Sequence, residues 1–240
     1  MVKLPRFLVC DAGFVPYDVA AFLQDRLVAS RQQGQLTHDV LILLEHEAVF
    51  TLGRQGRRQS LRVDEIFLQS KNTRVVATQR GGDITFHNPG QLVGYLVMDL
   101  AERGIDIRQM VGNVETVLML AAADYGVQAV QDPRGRGVWA GGAKLGSIGF
   151  AVSRGISFHG FAINVNNDLR PFQWIDPCGL KDVTMTSLSM ECKGTVDMEK
   201  LRHQVTGHFA HVFEMTPDHV SLNALKEYAG VLPENSHDTA

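Results

Sequence analysis

Seven apolar residues, Ile107, Met110, Val111, Val114, Val117, Leu118 and Ala121, recur at the three-and-four spacing of a single helical face, directly after Asp106, a good N-cap. A helix with one such stripe has to lay it on another element, and the sequence offers strands for that purpose. Residues 6–10 (RFLVC), 39–46 (DVLILLEH), 74–78 and 91–100 are β-branched, apolar or aromatic runs, and Gly, Pro and Asn bound several of them. Two more helices are predicted. Pro16 opens one with Tyr17, Ala20, Leu23 and Leu27 inward and Gly34 as its stop, and 197–214 forms another with Leu201, Val205 and Val212 inward. Between 135 and 164 the pattern is that of glycine-interrupted strands, and 164–178 is a polar, Pro-containing loop. The repeated switch between period two and period 3.6 predicts an α/β domain, a mixed β-sheet flanked by helices. One catalytic domain is expected over 1–225, with a frayed tail over 226–240.

Composition narrows the function classes. The chain has 240 residues, 45% hydrophobic and 20% charged, with a net charge of −3. No global positive field exists to gather nucleic acid. The longest apolar run, 117–123, is too short to span a bilayer, and the N-terminus lacks a secretory signal pattern, so a cytoplasmic protein with no membrane partner is expected. Three widely spaced cysteines, Cys10, Cys178 and Cys192, fit neither a disulfide framework nor a C-x-x-C site. Each is a free thiol to be judged separately.

Some apparent motifs fail on inspection. His46-Glu47 lacks the second histidine of a zincin, since position 50 is Phe50. The stretch 137–144 resembles a P-loop, but Ala143 intrudes before Lys144 and Leu145 replaces the magnesium-binding hydroxyl. His203, His208 and His211 are read as a solvated helix face, and no metal is assigned.

Three glycine-rich segments are harder to dismiss, because glycine weakens strands and marks close backbone approach. They are RGGDITFHNPG from Arg80, GGAKLGSIG from Gly141, and SFHGFAINVN from Ser157, which leads on to DPCGL from Asp176. Lys144 is the one charge in a stretch of small and apolar residues, a setting that desolvates an ammonium and suits it to proton exchange. The alternative is an edge-strand lysine in water. Cys178, between Pro177 and Gly179 in a polar loop, suits an accessible nucleophile, whereas Cys10 ends an apolar strand and Cys192 lies in a charged segment.

RGGDITFHNPGQLVGYLVMDL, GGAKLGSIGF, SFHGFAINVNNDL and PCGL, together with ILLEHEAVFTLGR from Ile42, resemble the signature blocks of the octanoyltransferases, or lipoyl(octanoyl) transferases, of lipoate biosynthesis. The resemblance runs from about residue 41 to 188. It implies a biotin/lipoate-protein-ligase-like catalytic domain and no cofactor. It also implies transfer of octanoyl from octanoyl-acyl carrier protein to a lysine of apo lipoyl domains, those of 2-oxoacid dehydrogenase subunits and the glycine cleavage H protein, through a thioester on Cys178. Lys144 then tunes the thiol, and the acyl site is lined by Arg80, Gly81, Gly82, Asp83, Ile84, Thr85, Phe86 and His87, by Ser147, Ile148 and Gly149, and by Gly160, Phe161 and Ala162. His87 and His159 either orient the reacting groups or only pack. A monomer is expected. One departure, the basic 134–137 stretch, bears on carrier docking. The nearest rival is an ATP-dependent lipoate or biotin ligase, which needs no Cys178. A more distant rival is a non-catalytic acyl- or carrier-binding module. Arg54, Arg57, Arg58 and Arg62 form a basic cluster that is either a solvated loop or a landing site for acidic carrier and lipoyl domains.

Overall fold

The computed structural model describes residues 4–176 and 183–231. Its first half runs β1 (Arg6–Phe14), α1 (Tyr17–Gln32), β2 (Asp39–Glu45), β3 (Val49–Leu52), α2 (Glu65–Ser70), β4 (Arg74–Ala77), β5 (Ile84–His87) and β6 (Gln91–Asp99). Then follow α3 (Leu100–Arg103), α4 (Ile107–Ala123), β7 (Gly137–Ala140), β8 (Ala143–Ser153), β9 (Ile156–Asn164), α5 (Leu188–Glu191), α6 (Met198–Val212), β10 (Thr216–His219) and α7 (Leu222–Tyr228). The large sheet has the order β10-β1-β2-β6-β9-β8-β7 and the small one β4-β3-β5. β1 is parallel to β10 and β2, and the steps from β2 through β6, β9 and β8 to β7 are antiparallel, so the sheet is mixed, as expected.

Strand alternation divides the core in two. Phe7, Val9, Leu41, Leu43, Leu92 and Leu96 face the layer of α4 and α6, while Leu8, Cys10, Val40, Ile42, Leu44, Val93 and Tyr95 face α1 and α7. On α4 Met110, Val114, Val117, Leu118 and Ala121 of the stripe are buried, Val111 is half-buried and Ile107 in the first turn is exposed, and Asp106 caps the helix in a capping box with Gln109. A third apolar cluster, built on Phe50, Ile84 and Phe86, holds the small sheet together and includes Phe172 and Ile175. These last two come from the segment expected to be a polar loop, which instead forms a 3-10 turn at Arg170–Trp174. The boundary expected at residue 225 falls inside α7, and Ala229 beyond it is buried. No helix of the described residues is long and apolar enough to cross a membrane.

Glycine governs how closely β6, β9 and β8 fit. A Cβ on Gly160 would lie 2.0 Å from the Gly94 carbonyl oxygen, and one on Gly94 would lie 2.2 Å from the Phe161 ring. Neither neighbour has room to yield, because the first is backbone and the second a buried ring. Gly160→Ala is therefore expected to lower stability by about 1–3 kcal/mol or more. Gly112→Ala on α4, where an added Cβ meets nothing within 4 Å, should raise stability by about 0.5–1 kcal/mol. Urea unfolding of the two variants checks both signs, and a Gly160→Ala midpoint equal to that of the unsubstituted chain would refute the packing account.

Candidate active site

The small sheet meets the large one through backbone. The Gly81 N–H donates to the Phe150 carbonyl at 2.8 Å, and a Cβ on Gly149 would sit 3.0 Å from the Gly81 oxygen. The segment after β3 braces this loop: Gly53, Arg54 and Gln55 donate their N–H groups to the carbonyls of Asp83, Arg80 and Gly82, at 3.0, 2.9 and 3.1 Å. Arg80 binds back onto the small sheet, its guanidinium donating to Thr51 Oγ1 at 2.9 and 3.1 Å, to the Thr51 carbonyl, and to its neighbour's carbonyl at Gly81.

Between the two sheets lies a pocket lined by Arg80, Gly81, Gly82, Thr85 and His87 on one side and by Ser147, Ile148, Gly149, Gly160, Phe161 and Ala162 on the other. Its floor follows the strand register, with Val93, Ala162 and Ser147 in one row and Tyr95, Gly160 and Gly149 in the next. Of the fourteen positions expected around it, Asp83, Ile84 and Phe86 lie elsewhere. Period-two alternation on β5 turns Ile84 and Phe86 into the apolar cluster of the small sheet, opposite to Thr85 and His87. Asp83 is structural, accepting from Ser60 Oγ at 2.6 Å and from the Arg57 N–H at 3.1 Å.

Tyr17, Val93, Tyr95 and His159 also line the pocket. The first three read as ordinary core residues in the sequence, and nothing in one sequence separates a buried tyrosine of a core from one that borders a cavity. His46-Glu47 has a structural use. His46 Nδ1 lies 2.7 Å from the Val15 carbonyl, which can only accept, so its Nε2 accepts from the Tyr95 hydroxyl at 2.7 Å. Glu47 accepts the Tyr17 N–H at the start of α1.

All three histidines around the pocket are held neutral. Burial is the main cause for His87, whose pKa falls to about 3 with further opposition from His46 and Arg80, and for His159, which falls to about 4 with opposition from Arg80 and Arg54. Burial also lowers His46. His159 stands at φ +59° in the middle of a strand, a conformation that costs a non-glycine residue energy. Its N–H is taken up by Gln24 Oε1 of α1 at 2.8 Å.

Lys144 lies three positions before Ser147 on β8 and is fully buried, its Nζ 5.4 Å from the centre of the Trp139 ring. The edge-strand lysine in water is thus excluded. Lys144 is zipped in parallel to the Thr184–Thr186 segment, donating its N–H to the Thr184 carbonyl at 2.8 Å and accepting the Thr186 N–H at 2.9 Å on its own carbonyl. Cys178 itself lies outside the described residues. The chain leading toward it is anchored by the Asp176 N–H on the Ser60 carbonyl at 2.7 Å. Of the described cysteines, Cys10 is buried with its thiol pushed up to about 11, and Cys192 is half-buried with its Sγ near the Gly194 carbonyl.

Comparison with known proteins gives this geometry its context. The model of the lipoyl protein ligase A/B catalytic domain matches residues 16–210. The chain is 43% identical over 209 residues to an octanoyltransferase of Desulfotalea psychrophila, covering 86% of this chain and 93% of the relative. It is also 37% identical to one of Desulforamulus reducens, covering 94% and 99%. The chain belongs to the octanoyltransferase family. It is an acyltransferase with a lipoate-ligase-like catalytic domain. Solved structures bear out that fold: a lipoate protein ligase of T. acidophilum with bound lipoic acid superposes with a TM-score of 0.70 at 16% identity, covering 95% of this chain and 94% of the other. Lipoate-protein ligase A bound with ATP gives 0.69 at 13%, covering 96% and 100%.

Neutral buried histidines make the fold acid-sensitive. An unfolded histidine titrates near 6.5 and these titrate near 3 and 4, so below pH 6.5 the unfolded chain binds protons that the native one does not. Stability is full above about pH 6.5 and falls as the pH drops toward 4. Each such histidine is expected to contribute about 2 kcal/mol of the loss between pH 7 and pH 5. In His159→Asn, which keeps a side chain tolerant of positive φ, the drop in urea midpoint over that interval should shrink. An undiminished drop would mean that burial does not hold His159 neutral.

Proposed function

We propose that this enzyme moves an octanoyl group from octanoyl-acyl carrier protein to a lysine of apo lipoyl domains, those of 2-oxoacid dehydrogenase subunits and the H protein, through an acyl thioester on Cys178. The observation that carries the reading is a pocket with neutral histidines and glycine walls, running along β8 and β9 on the strand that bears the buried Lys144. A cleft whose imidazoles are neutral and whose lining arginine, Arg80, donates to Thr51 and the Gly81 carbonyl suits a hydrocarbon chain, and kinship with octanoyltransferases supports octanoyl as that chain.

The cycle closes without a cofactor. The Cys178 thiolate, stabilised by the Lys144 ammonium, attacks the carbonyl carbon of the donor thioester. As the tetrahedral adduct collapses, the carbon–sulfur bond to the carrier breaks and its thiolate takes the proton from Lys144. In the second half the neutral amine of the acceptor lysine attacks the Cys178 thioester, the amine proton passes to the now neutral Lys144, and Cys178 leaves as thiolate. The pair returns to its starting state, with one thioester broken and one amide formed. Exchange between two thioesters is nearly balanced in energy, so ATP is not required. Backbone N–H groups near the reacting carbonyl are the natural oxyanion donors.

Incubation with octanoyl-acyl carrier protein and no ATP should add one octanoyl group, removable by hydroxylamine and absent in Cys178→Ala. Lys144→Met should slow both half-reactions by about 10²–10⁴-fold with the fold retained. A persistent thioester in Cys178→Ala, or transfer only with ATP, would turn the reading toward the ligase.

The basic cluster supports carrier docking. Arg54, Arg57, Arg58 and Arg62 are all exposed, Arg58 pairs with Glu65 and Arg62 with Asp176, and the Arg54 charge is felt at His159 in the pocket wall. Arg134, by contrast, is committed to Asp132 and to the Trp139 face at 4.0 Å. Steering by exposed charge acts on association and is screened by salt. Arg57→Glu with Arg58→Glu should lower kcat/KM for the carrier-bound donor and flatten its salt dependence, and leave a small octanoyl thioester unaffected. Equal losses on both donors would remove the docking role.

A further inference from the structure

We propose that Asn164 is a positioning residue that holds Lys144 in register through the Thr184–Thr186 segment, an inference that rests on the role assigned to Lys144 above. Asn164 ends β9 and is buried. Its Nδ2 donates to the Thr186 carbonyl at 3.0 Å, and the Thr186 N–H in turn donates to the Lys144 carbonyl at 2.9 Å. Its Oδ1 accepts from Gln91 Nε2 at 2.9 Å and from Asn167 Nδ2 at 3.2 Å.

The direction of each bond in this chain is forced. Gln91 Nε2 also donates to the Phe86 carbonyl at 3.1 Å, a group that can only accept, so Gln91 Oε1 is the atom facing His87 Nδ1 at 2.7 Å. His87 therefore carries its proton on Nδ1 and turns Nε2 away from Gln91, toward Thr51 Oγ1 at 3.5 Å. At the other end the Thr186 carbonyl fixes the Asn164 amide with its nitrogen toward the segment bridged to Lys144. One buried polar row thus links the pocket imidazole to the main chain beside the lysine, and Asn164 is the member that touches that segment.

The row matters because the bridge is short. β8 meets the Thr184–Thr186 segment at Lys144 through two backbone hydrogen bonds, and that segment begins six residues after Cys178 in the sequence. A buried amide clamping a carbonyl on this bridge replaces what a longer ladder would supply. It also leaves the Thr186 hydroxyl for a second tie, to Glu191 Oε1 at 2.6 Å.

The test is Asn164→Ser, which cannot span to Thr186, read by amide hydrogen exchange and by kinetics. In the unsubstituted chain the Lys144 and Thr186 amides should exchange as slowly as those of β9. In Asn164→Ser they should lose protection by 100-fold or more while Phe161 and Ile163 keep theirs. The kcat for transfer should fall at least tenfold with KM for the donor within twofold, and the pH midpoint of Cys178 alkylation should rise. Unchanged protection at Lys144 and Thr186, or a loss spread evenly over the sheet, would overturn the proposal, as would a kcat within twofold of the parent. Should Asn164→Ser not fold, rapid exchange of those two amides in the parent protein would overturn it alone. Failure of the thioester mechanism is separable, since it is read from Cys178→Ala, whereas the exchange pattern reports the clamp whatever the chemistry.

Discussion

The pocket depends on one backbone contact, the hydrogen bond from the Gly81 N–H to the Phe150 carbonyl that seats the small sheet on β8. Any side chain at 149 would press on the Gly81 oxygen, and any at 160 would press on β6, so the cleft exists only where three strands and one loop dispense with Cβ atoms. Glycine normally weakens a strand. Here that cost is offset by the two layered cores on either face of the same sheet, which hold β6, β9 and β8 in place irrespective of what the glycines contribute.

A second constraint is electrostatic. Hydrocarbon is poorly served by a cleft with ionised walls, yet this one is ringed by His87, His159, Tyr17 and Arg80. Burial resolves the conflict for the titratable groups by holding the imidazoles neutral and pushing the Tyr17 hydroxyl up to about 12. Arg80 cannot be neutralised, and its donors are instead directed to Thr51 and the Gly81 carbonyl, which turns the charge into a brace for the loop. Its positive field also disfavours protonation of the neighbouring histidines, so one cation helps to keep the rest of the wall uncharged.

Much of the large sheet is legible in the sequence because its elements are long enough to display a period. The α4 stripe, the Asp106 cap and the 39–46 run are examples, with the cap at the residue expected and β2 one residue shorter than the run. β3 and β5 have four residues each, too few to show alternation, and the small sheet they build is therefore not visible as a unit. The same gap misplaces Ile84 and Phe86: without β5 as a strand, an unbroken stretch from Arg80 to His87 looks like one lining segment. Phe172 and Ile175 are hidden for another reason, being apolar residues scattered in a polar loop and buried by a sheet far away in sequence. Lys144 is legible because a single charge among small and apolar residues stands out against its surroundings. Gln91 and Asn164 are not, since a polar residue at a strand end ordinarily meets water.

The fold is shared with lipoate ligases at 16% identity and below, so the architecture alone does not select between activating a free acid and exchanging a thioester. What differs must lie in a few groups. An adenylating enzyme has to gather phosphates, and the favoured device is a run of N–H groups at a glycine loop or helix N-terminus. The glycine loop nearest Lys144, the turn at Gly141 and Gly142, has both residues at positive φ, and the Gly142 carbonyl accepts from Arg134. In the 81–82 loop the Gly81 N–H is already bound to Phe150. Lys144 is instead buried beneath a short bridge to the Thr184–Thr186 segment. The choice between activating a free acid and exchanging a thioester therefore turns on the groups gathered around Lys144 and not on the sheet that carries it.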